Sequence, residues 1–351
     1  MIDFGALSPD APAIILLCSS IAMERVAGTG RGAAATRPLG PRTWAKLHDL
    51  LVRQSFSGAR DLVGLTAEEI DRSLTVGGEE AERYARLLAR GGQLAFELDR
   101  LRSRGIWVVT IADDAYPARL VERLGPDAPP VLFGSGDATE LRGGGLAIVG
   151  SRDVDDVAIA FTEHLAAAAA RGGTPVISGG ARGIDVTAMR AAAAADGFVV
   201  GVLPEGVERR LRDGETRIAV ASGRAVLVSP YHPGAAFSAG AAMGRNRIIY
   251  GLSDVAVIVS SAAGSGGTWT GALEAIDGGW VPVFVRDGPD VPDGNRALIA
   301  KGGVPLPEDA EALAGGALSV ADLRAFVPAG ERSRAVAADP PPYEQQALFD
   351  E

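Results

Sequence analysis

From about residue 106 onward, short and nearly continuous apolar runs alternate with stretches of helical periodicity. Apolar residues in an unbroken run, without polar residues between them, are typical of strands that are buried on both faces of a sheet. Alternation of such strands with helices predicts an α/β fold with an open, doubly wound and mostly parallel sheet. The predicted strands overlap residues 106–111, 146–150, 174–178, 198–203, 225–229, 255–260 and 280–285, and the predicted helices between them include 157–173, 184–196 and 269–279.

Residues 1–104 predict a small helical domain that precedes the sheet. Residues 44–54 and 79–105 carry apolar side chains at three- and four-residue spacing, with charged residues between them. Thr66 stands before an acidic turn, which is typical of a helix N-cap. Residues 11–21 are apolar over a short span and predict a core helix.

The remaining pattern sets the other domain boundaries. Residues 105–327 carry the strand and helix alternation and form the predicted α/β domain. Residues 328–351 are polar and rich in proline, a composition that predicts a disordered tail. The glycine- and alanine-rich residues 28–35 predict a loop inside the helical domain.

Small residues and arginines cluster where the predicted strands end. Ligands of open parallel sheets bind at the carboxyl ends of the strands. Exposed backbone N–H groups, helix N-termini and guanidinium groups together form a site for phosphate. We therefore expect a nucleic-acid backbone or a nucleotide as the ligand. The candidate site residues are Gly150, Ser151, Arg152, Ser178, Gly179, Gly180, Arg182, Gly183, Arg245, Asn246, Arg247, Ser265, Gly266, Gly267 and Thr268.

These motifs also have an interpretation without a ligand. Residues 149–152 suit a plain strand-to-helix turn with a solvated arginine, and residues 264–268 suit a glycine-rich turn with an N-cap. Asp185 is interpreted as favouring the dipole of its helix rather than as a catalytic group. Arg245, Asn246 and Arg247 precede an apolar helix segment, and helical geometry points two of these three in different directions, so one of the arginines can be structural.

Several enzyme classes lack support in the sequence. It carries no G-x-G-x-x-G dinucleotide motif and no phosphate loop ending in Gly-Lys-Ser/Thr. The three histidines, His48, His164 and His232, have neither zinc-ligand spacing nor a recognisable triad arrangement. We therefore expect a binding protein rather than an enzyme, with no cofactor and no metal.

Charge and cysteine content limit the partners and the compartment. The net charge of −10 predicts a confined phosphate site and weak non-specific binding to duplex DNA. The single cysteine, Cys18, excludes an internal disulfide and fits a reducing compartment. No apolar run reaches the ~18 residues that span a membrane. The sequence predicts a cytoplasmic protein without membrane contact.

Several motifs in residues 105–303 resemble those of the DNA-processing protein A family (DprA, also called Smf). They stand in the family's order, which is more specific than any one motif: Asp113 with Tyr116-Pro117, PPVLF at 129–133, VGSR at 149–152, SGGARGID at 178–185, RNRIIYGLSD at 245–254, a Gly/Ser loop at 264–268 and GNRALIAKGG at 294–303. The resemblance implies a Rossmann-like, homodimeric protein that binds single-stranded DNA and helps to load a RecA-type recombinase, notably during uptake of transforming DNA. By position, it implies that Arg152, Arg182, Arg245 and Arg247 hold backbone phosphates.

The chain departs from the family pattern at several positions. Thr187-Ala188-Met189 stands where the family has Ala-Ala-His, and Pro230 follows Ser229 where the family has an acidic residue. A charged run occupies residues 209–217, and Ser260 takes the place of an acidic residue. We therefore expect a divergent member, without the C-terminal winged-helix domain that many members carry.

The sequence predicts a single-stranded DNA-binding protein that acts in recombination, transformation or defence against foreign DNA. A second hypothesis is a nucleotide-binding protein or a nucleoside monophosphate phosphoribohydrolase-like enzyme. Such enzymes carry GGxGTxxE, and Glu274 follows a similar loop here at a longer spacing. A third is a protein-binding regulator without DNA contact.

The C-terminal tail contains a short motif of its own. Gln345, Leu348 and Phe349 resemble the Q-x-x-L-F peptides that dock on the bacterial sliding clamp. The alternative is an unstructured end without a partner.

Overall fold

The computed structural model of the chain describes residues 7–23, 37–307 and 316–327. The predicted loop at 28–35 and the predicted tail at 328–351, with Gln345, Leu348 and Phe349, lie outside the described residues. Within the described part, no helix is both long enough and apolar enough to cross a membrane.

Fourteen α-helices lie in these described ranges. Five of them precede the first strand: α1 (Ala11–Cys18), α2 (Pro41–Arg53), α3 (Ala67–Leu74), α4 (Gly78–Leu88) and α5 (Gly91–Ser103). The other nine are α6 (Ala118–Leu124), α7 (Asp156–Arg171), α8 (Ile184–Ala194), α9 (Val207–Arg210), α10 (Gly214–Ala221), α11 (Ala239–Leu252), α12 (Gly266–Gly278), α13 (Asp293–Ala300) and α14 (Val320–Ala325). Short 3-10 turns cover Ala59–Leu62, Gly125–Asp127 and Ala138–Arg142.

Nine strands in the described residues form a mixed, mostly parallel sheet, which confirms the predicted α/β fold class. Each of the seven predicted strand runs overlaps an observed strand, and β2 and β9 were not predicted. The strands are β1 (Trp107–Thr110), β2 (Val131–Ser135), β3 (Leu146–Gly150), β4 (Val176–Ser178), β5 (Val199–Val202), β6 (Ala225–Ser229), β7 (Val255–Ser260), β8 (Val283–Asp287) and β9 (Val304–Pro307).

The chain divides into two compact units. Unit 1 comprises Met1–Val121, Gly125–Gly143 and Val200–Arg245, and unit 2 comprises Glu122–Leu124, Gly144–Val199 and Asn246–Glu351. Unit 1 therefore holds both the N-terminal helices and the strands β1, β2 and β6. The domain division into 1–104, 105–327 and 328–351 stays a prediction.

Unit 2 contains the parallel strands in the order β4-β3-β7-β8-β9. The central strands β3 and β7 are almost fully buried along their length, as their unbroken apolar sequences predict. Helices α7 and α8 pack against each other, and alanines such as Ala166 and Ala169 let their backbones come close. Because β4, β3 and β7 are parallel neighbours, their carboxyl ends lie at the same edge of the sheet.

Unit 1 departs from the parallel pattern. β2 pairs antiparallel with both β1 and β6. The sequence analysis did not predict β2, because Gly134 interrupts a run of only five residues and a glycine weakens the strand signal. A Cβ placed on Gly134 would lie 2.1 Å from the Trp107 ring, so this glycine is where that indole packs on the sheet.

The N-terminal helices confirm two predictions and correct a third. α1 is a core helix whose apolar residues are buried, and Thr66 caps α3 in a reciprocal capping box with Glu69. The periodic stretch 79–105 was predicted without a break, but it forms two helices, α4 and α5. Two consecutive glycines, Gly91 and Gly92, follow the break and lower the helix propensity there.

Candidate functional site

The candidate site lies at the carboxyl edge of unit 2. β3 pairs in parallel with β4 on one side and with β7 on the other. Parallel strands end at the same edge, so the loops that follow them at residues 151–155, 179–183 and 261–265 emerge together. Each loop leads into a helix, and α7, α8 and α12 begin at this edge. Most of the candidate phosphate-binding residues are therefore brought together.

Gly150 ends β3 at a point of close packing. The register between β3 and β7 shifts between Val149 and Gly150, a bulge that redirects the chain as it leaves the sheet. A Cβ on Gly150 would lie 2.5 Å from Cγ1 of Ile184 in α8, so a side chain has no room there. Ser151 follows, and both its backbone N–H and its hydroxyl donate to the Ser260 carbonyl, at 2.9 and 3.1 Å. The Ser151 hydroxyl thus holds β3 to β7.

The loop after β4 brings its backbone against the loop after β3. Gly180 and Gly183 both adopt positive φ angles, +64° and +85°. A Cβ on Gly183 would lie 2.4 Å from the Ser151 carbonyl oxygen, which makes glycine necessary at this turn. The Ser178 hydroxyl donates to the Ile148 carbonyl at 2.6 Å and is buried, so it serves the sheet rather than an exposed ligand surface.

Asp185 has the local structural role that its sequence position predicts. It is buried in the first turn of α8, and its carboxylate accepts a long hydrogen bond from the Ala181 N–H at 3.4 Å. A carboxylate at this position also favours the helix dipole. It fastens the 179–183 loop to the helix that follows.

Two arginines of these loops reach solvent. Arg152 is exposed. Arg182 is 76% exposed and forms an ion pair with Asp153, which is 88% exposed. Two of the four predicted arginines therefore present a cationic group at this edge, and Arg182 is held by a carboxylate from the neighbouring loop.

Arg245 is not at this surface. Its side chain is 3% exposed, and Nη1 donates to the Val202 carbonyl at 2.7 Å, both residues being in unit 1. The predicted phosphate contact by Arg245 is therefore withdrawn: a guanidinium that is closed off from solvent cannot reach a DNA backbone. Residues two positions apart on a helix point in nearly opposite directions, which explains why Arg245 and Arg247 differ.

Arg247 joins two helices of unit 2. Its Nε and Nη2 donate to the two carboxylate oxygens of Glu274, each at 2.8 Å. Asn246 beside it donates from Nδ2 to the Gly267 carbonyl at 2.9 Å, in the first turn of α12. The carboxylate that the phosphoribohydrolase hypothesis requires, Glu274, is thus occupied by a guanidinium.

The loop after β7 opens α12 with few side chains. Gly264 and Gly266 have φ angles of +71° and +88°, and a Cβ on either would meet no atom within 4 Å. Ser265 is the N-cap residue, but its hydroxyl makes no capping hydrogen bond. With Gly266, Gly267 and Thr268 in the first turn, the helix presents backbone N–H groups at its positive end.

The family model described as DNA recombination-mediator protein A matches residues 107–314, more than half of the chain. The chain belongs to this family. The resemblance to DprA predicted from the order of the motifs is confirmed.

Curated proteins similar to this chain carry the name DprA. A DNA processing protein DprA of Mycobacterium tuberculosis is 31% identical over 214 residues, covering 56% of this chain and 53% of that protein. DprA of Bacillus subtilis is 31% identical over 180 residues, covering 51% of this chain and 60% of that protein. The chain thus spans little more than half the length of these relatives. DNA processing protein A (DprA) from Streptococcus pneumoniae, known from an X-ray structure, matches with a TM-score of 0.61 and 25% identity, covering 78% of this chain and 93% of that one.

The sequence analysis missed one residue of this recombination-mediator fold, Asn295. It lies fully buried in α13 and bonds to the backbone of β7, β8 and the residue that follows β7. Its segment, residues 294–303, was noticed only as a match to the family's closing motif. The available signal was an asparagine directly after a glycine, in a short segment that follows a predicted strand.

Among the residues that the structure describes, no three His, Cys, Asp or Glu side chains stand close enough to hold a metal ion. In unit 1, burial raises the pKa of Tyr231, which the charge of Arg245 lowers in part. The Tyr231 hydroxyl donates to the Ala241 carbonyl at 2.9 Å, so it anchors the first turn of α11.

Proposed function

We propose that this chain binds single-stranded DNA through its phosphate backbone at the carboxyl edge of β4, β3 and β7. The observation that carries the proposal is the convergence of three loops, 151–155, 179–183 and 261–265, at this one edge. Two of these loops add an exposed arginine, Arg152 and Arg182. Membership of a recombination-mediator family supports DNA as the ligand.

The proposed contact is electrostatic and largely made by backbone groups. The N–H groups of residues 266–268, at the start of α12, donate to phosphate oxygens, and the positive end of the helix favours the negative charge. Arg152 and Arg182 add charge-assisted hydrogen bonds. None of these groups reads a base edge, so binding depends little on nucleotide sequence and falls with salt.

The geometry narrows the proposed set of contacts. Gly150, Gly179, Gly180 and Gly183 shape the two loops, and Ser151 and Ser178 hold the strands. Arg152 and Arg182 supply charge. Ser265, Gly266, Gly267 and Thr268 supply N–H donors, Asn246 fixes the start of α12, and Arg247 contributes little charge because Glu274 neutralises it.

Net charge limits where DNA can bind. The chain carries −10 overall, and acidic residues such as Asp153 and Asp156 stand near the proposed site. Distant carboxylates are screened within about 8–10 Å at physiological salt, so a short cationic edge still attracts a phosphate backbone. The stiff duplex adapts less well than a flexible single strand to such a confined edge, and we expect single strands to be preferred.

We also propose the wider role that family membership suggests. In this role the chain acts in the cytoplasm as a homodimer and assists loading of a RecA-type recombinase on bound single strands. Docking of Gln345, Leu348 and Phe349 on a sliding clamp is a separate proposal that rests on sequence alone. Each needs its own binding assay with purified partners.

The test is fluorescence anisotropy of a labelled oligo-dT strand, titrated with protein at several salt concentrations. We expect binding that weakens with salt and that an unlabelled duplex displaces poorly. Arg152→Ala and Arg182→Ala should each weaken it. Arg190→Ala is the matched control, because Arg190 is also exposed but lies about two turns into α8. No binding at low salt, or equal losses in all three variants, would overturn the proposal.

A further inference from the structure

The exit of β7 is held from both sides by hydrogen bonds. On the β3 side, the Ser260 carbonyl accepts from the N–H and the hydroxyl of Ser151. On the other side, the Ser261 N–H donates to Oδ1 of Asn295 at 2.9 Å. The 262–265 loop and the start of α12 follow directly from this clamped point.

Asn295 uses its whole amide group in this clamp. Besides accepting from Ser261, it donates from Nδ2 to the Val259 carbonyl at 3.0 Å and to the Arg286 carbonyl at 2.9 Å. One acceptor faces a donor and two donors face carbonyls, so only one orientation of the amide satisfies the network. No other side chain of this size offers one acceptor and two donors in a planar group without charge.

The backbone around Asn295 is packed to bring the amide into place. A Cβ on the preceding residue, Gly294, would lie 2.1 Å from the Ser261 carbonyl oxygen. The N–H of Asn295 itself donates to the Pro292 carbonyl at 2.9 Å, at the start of α13. Asn295 is fully buried, so water does not compete for these hydrogen bonds.

We propose that Asn295 is a positioning residue for DNA binding: it fixes the exit of β7 and so holds the N–H donors at the start of α12 in place for a phosphate. The inference rests on the proposed function and deepens it. Asn295 itself touches no ligand. Its effect passes through Ser261 to the 262–265 loop and the start of α12.

Two variants separate positioning from general stability. Asn295→Ala removes the clamp, whereas Leu298→Ala removes a fully buried side chain from the same helix without touching Ser261. DNA binding by the two variants is compared under conditions in which their unfolding curves show them to be folded. Stoichiometric titration measures the fraction of each protein that is active. We expect Asn295→Ala to speed amide hydrogen exchange at residues 261–268 and to weaken oligo-dT binding about tenfold. The salt slope should not change, because no charged contact is lost.

Should Asn295→Ala fail to fold, Asn295→Asp provides the second measurement. Its ionised carboxylate faces the carbonyls of Val259 and Arg286, whereas its protonated form can donate to one of them. As the pH falls, binding by this variant should therefore recover by more than binding by the unaltered chain changes over the same pH range.

The outcomes distinguish this inference from the proposed function. If Asn295→Ala leaves amide hydrogen exchange at residues 261–268 unchanged, or speeds it without changing DNA affinity, the role of Asn295 is overturned while the proposed DNA binding stands. Equal effects in Leu298→Ala would do the same. Absence of oligo-dT binding by the unaltered chain would instead overturn the proposed function, and with it the role of Asn295 in binding.

Discussion

The guanidinium of Arg247 and the carboxylate of Glu274 form a two-point ion pair that links α11 to α12 in unit 2. Both hydrogen bonds measure 2.8 Å, and the side chains are 34% and 32% exposed. The planar fork of arginine matches the carboxylate, so the pair has directional as well as electrostatic strength. It makes Arg247 a connector of helices.

Glu274→Gln should lower the free energy of unfolding by about 1 kcal/mol, because the ion pair is lost and the amide keeps only one acceptor oxygen for the two donors of Arg247; partial exposure keeps this loss small. Arg247→Lys should lower the free energy of unfolding by a smaller amount, since a lysine keeps the positive charge but not the two parallel donors of the guanidinium. Urea unfolding measures both. Arg296→Ala, which breaks an exposed pair with Asp293, is the control and should cost less. If Arg247→Ala lowers the salt slope of DNA binding by a full unit, Arg247 is a phosphate contact after all.

The capping box at the start of α3 predicts a pH effect. The carboxylate of Glu69 accepts from the N–H and the hydroxyl of Thr66, at 2.8 and 2.9 Å, and these bonds lower the pKa of Glu69. A lowered folded-state pKa contributes stability above the unfolded-state pKa, and that contribution is lost as the pH falls through the folded-state value.

Glu69→Gln should therefore be less stable than the unaltered chain at pH 7 and approach it in stability as the pH falls below about 4. Glu68→Gln removes a charge from the same turn but lies outside the capping box, so its deficit should be smaller. Thermal unfolding across this pH range measures the stability of both variants and of the unaltered chain. A deficit for Glu69→Gln that stays constant with pH would contradict the assignment.

The fold could be predicted where a single physical cause dominates the sequence. β3 and β7 are buried on both faces, so their apolar runs were readable without any knowledge of their neighbours. β9 carries two prolines, which weaken the strand signal, and β2 pairs with β6, a partner far away in the chain. Antiparallel pairing of β2 with β6 joins strands some 95 residues apart, which no local pattern records.

The site could be predicted only where backbone geometry defines it. Glycines at 150 and 183 mark turns that demand small residues, and the structure brings these turns together. Whether a helical side chain is buried, ion-paired or exposed depends on what packs against its helix. Arg245 and Arg247 look alike in sequence, yet one is buried against Val202 and the other pairs with Glu274. The burial of Asn295 could not be predicted for the same reason.

Gly183→Ala should disturb both the fold and DNA binding. A Cβ at this position would lie 2.4 Å from the Ser151 carbonyl oxygen, and the backbone there has a positive φ that residues with side chains rarely adopt. The loops that follow β3 and β4 must therefore move apart. We expect a loss of about 2–3 kcal/mol in unfolding free energy, together with weaker oligo-dT binding. Gly264→Ala is the control, because its φ is also positive but its Cβ has open space, and only about 1–2 kcal/mol of strain follows. Equal losses in the two variants would show that contact with Ser151 does not matter.

Asp153 forms an ion pair with the guanidinium of Arg182, so under the proposed function it competes with a DNA phosphate for that group. Asp153→Asn should therefore tighten oligo-dT binding several-fold at low salt, while Arg182→Ala should weaken it and lower the salt slope by about one unit. The decisive variant carries both changes: with the guanidinium gone, Asp153→Asn should give little further gain, and the double-mutant cycle should show a coupling. Asp156→Asn removes an equal charge from the first turn of α7 and serves as the control. If Asp153→Asn weakens binding, the carboxylate orients Arg182 for phosphate instead of competing with it.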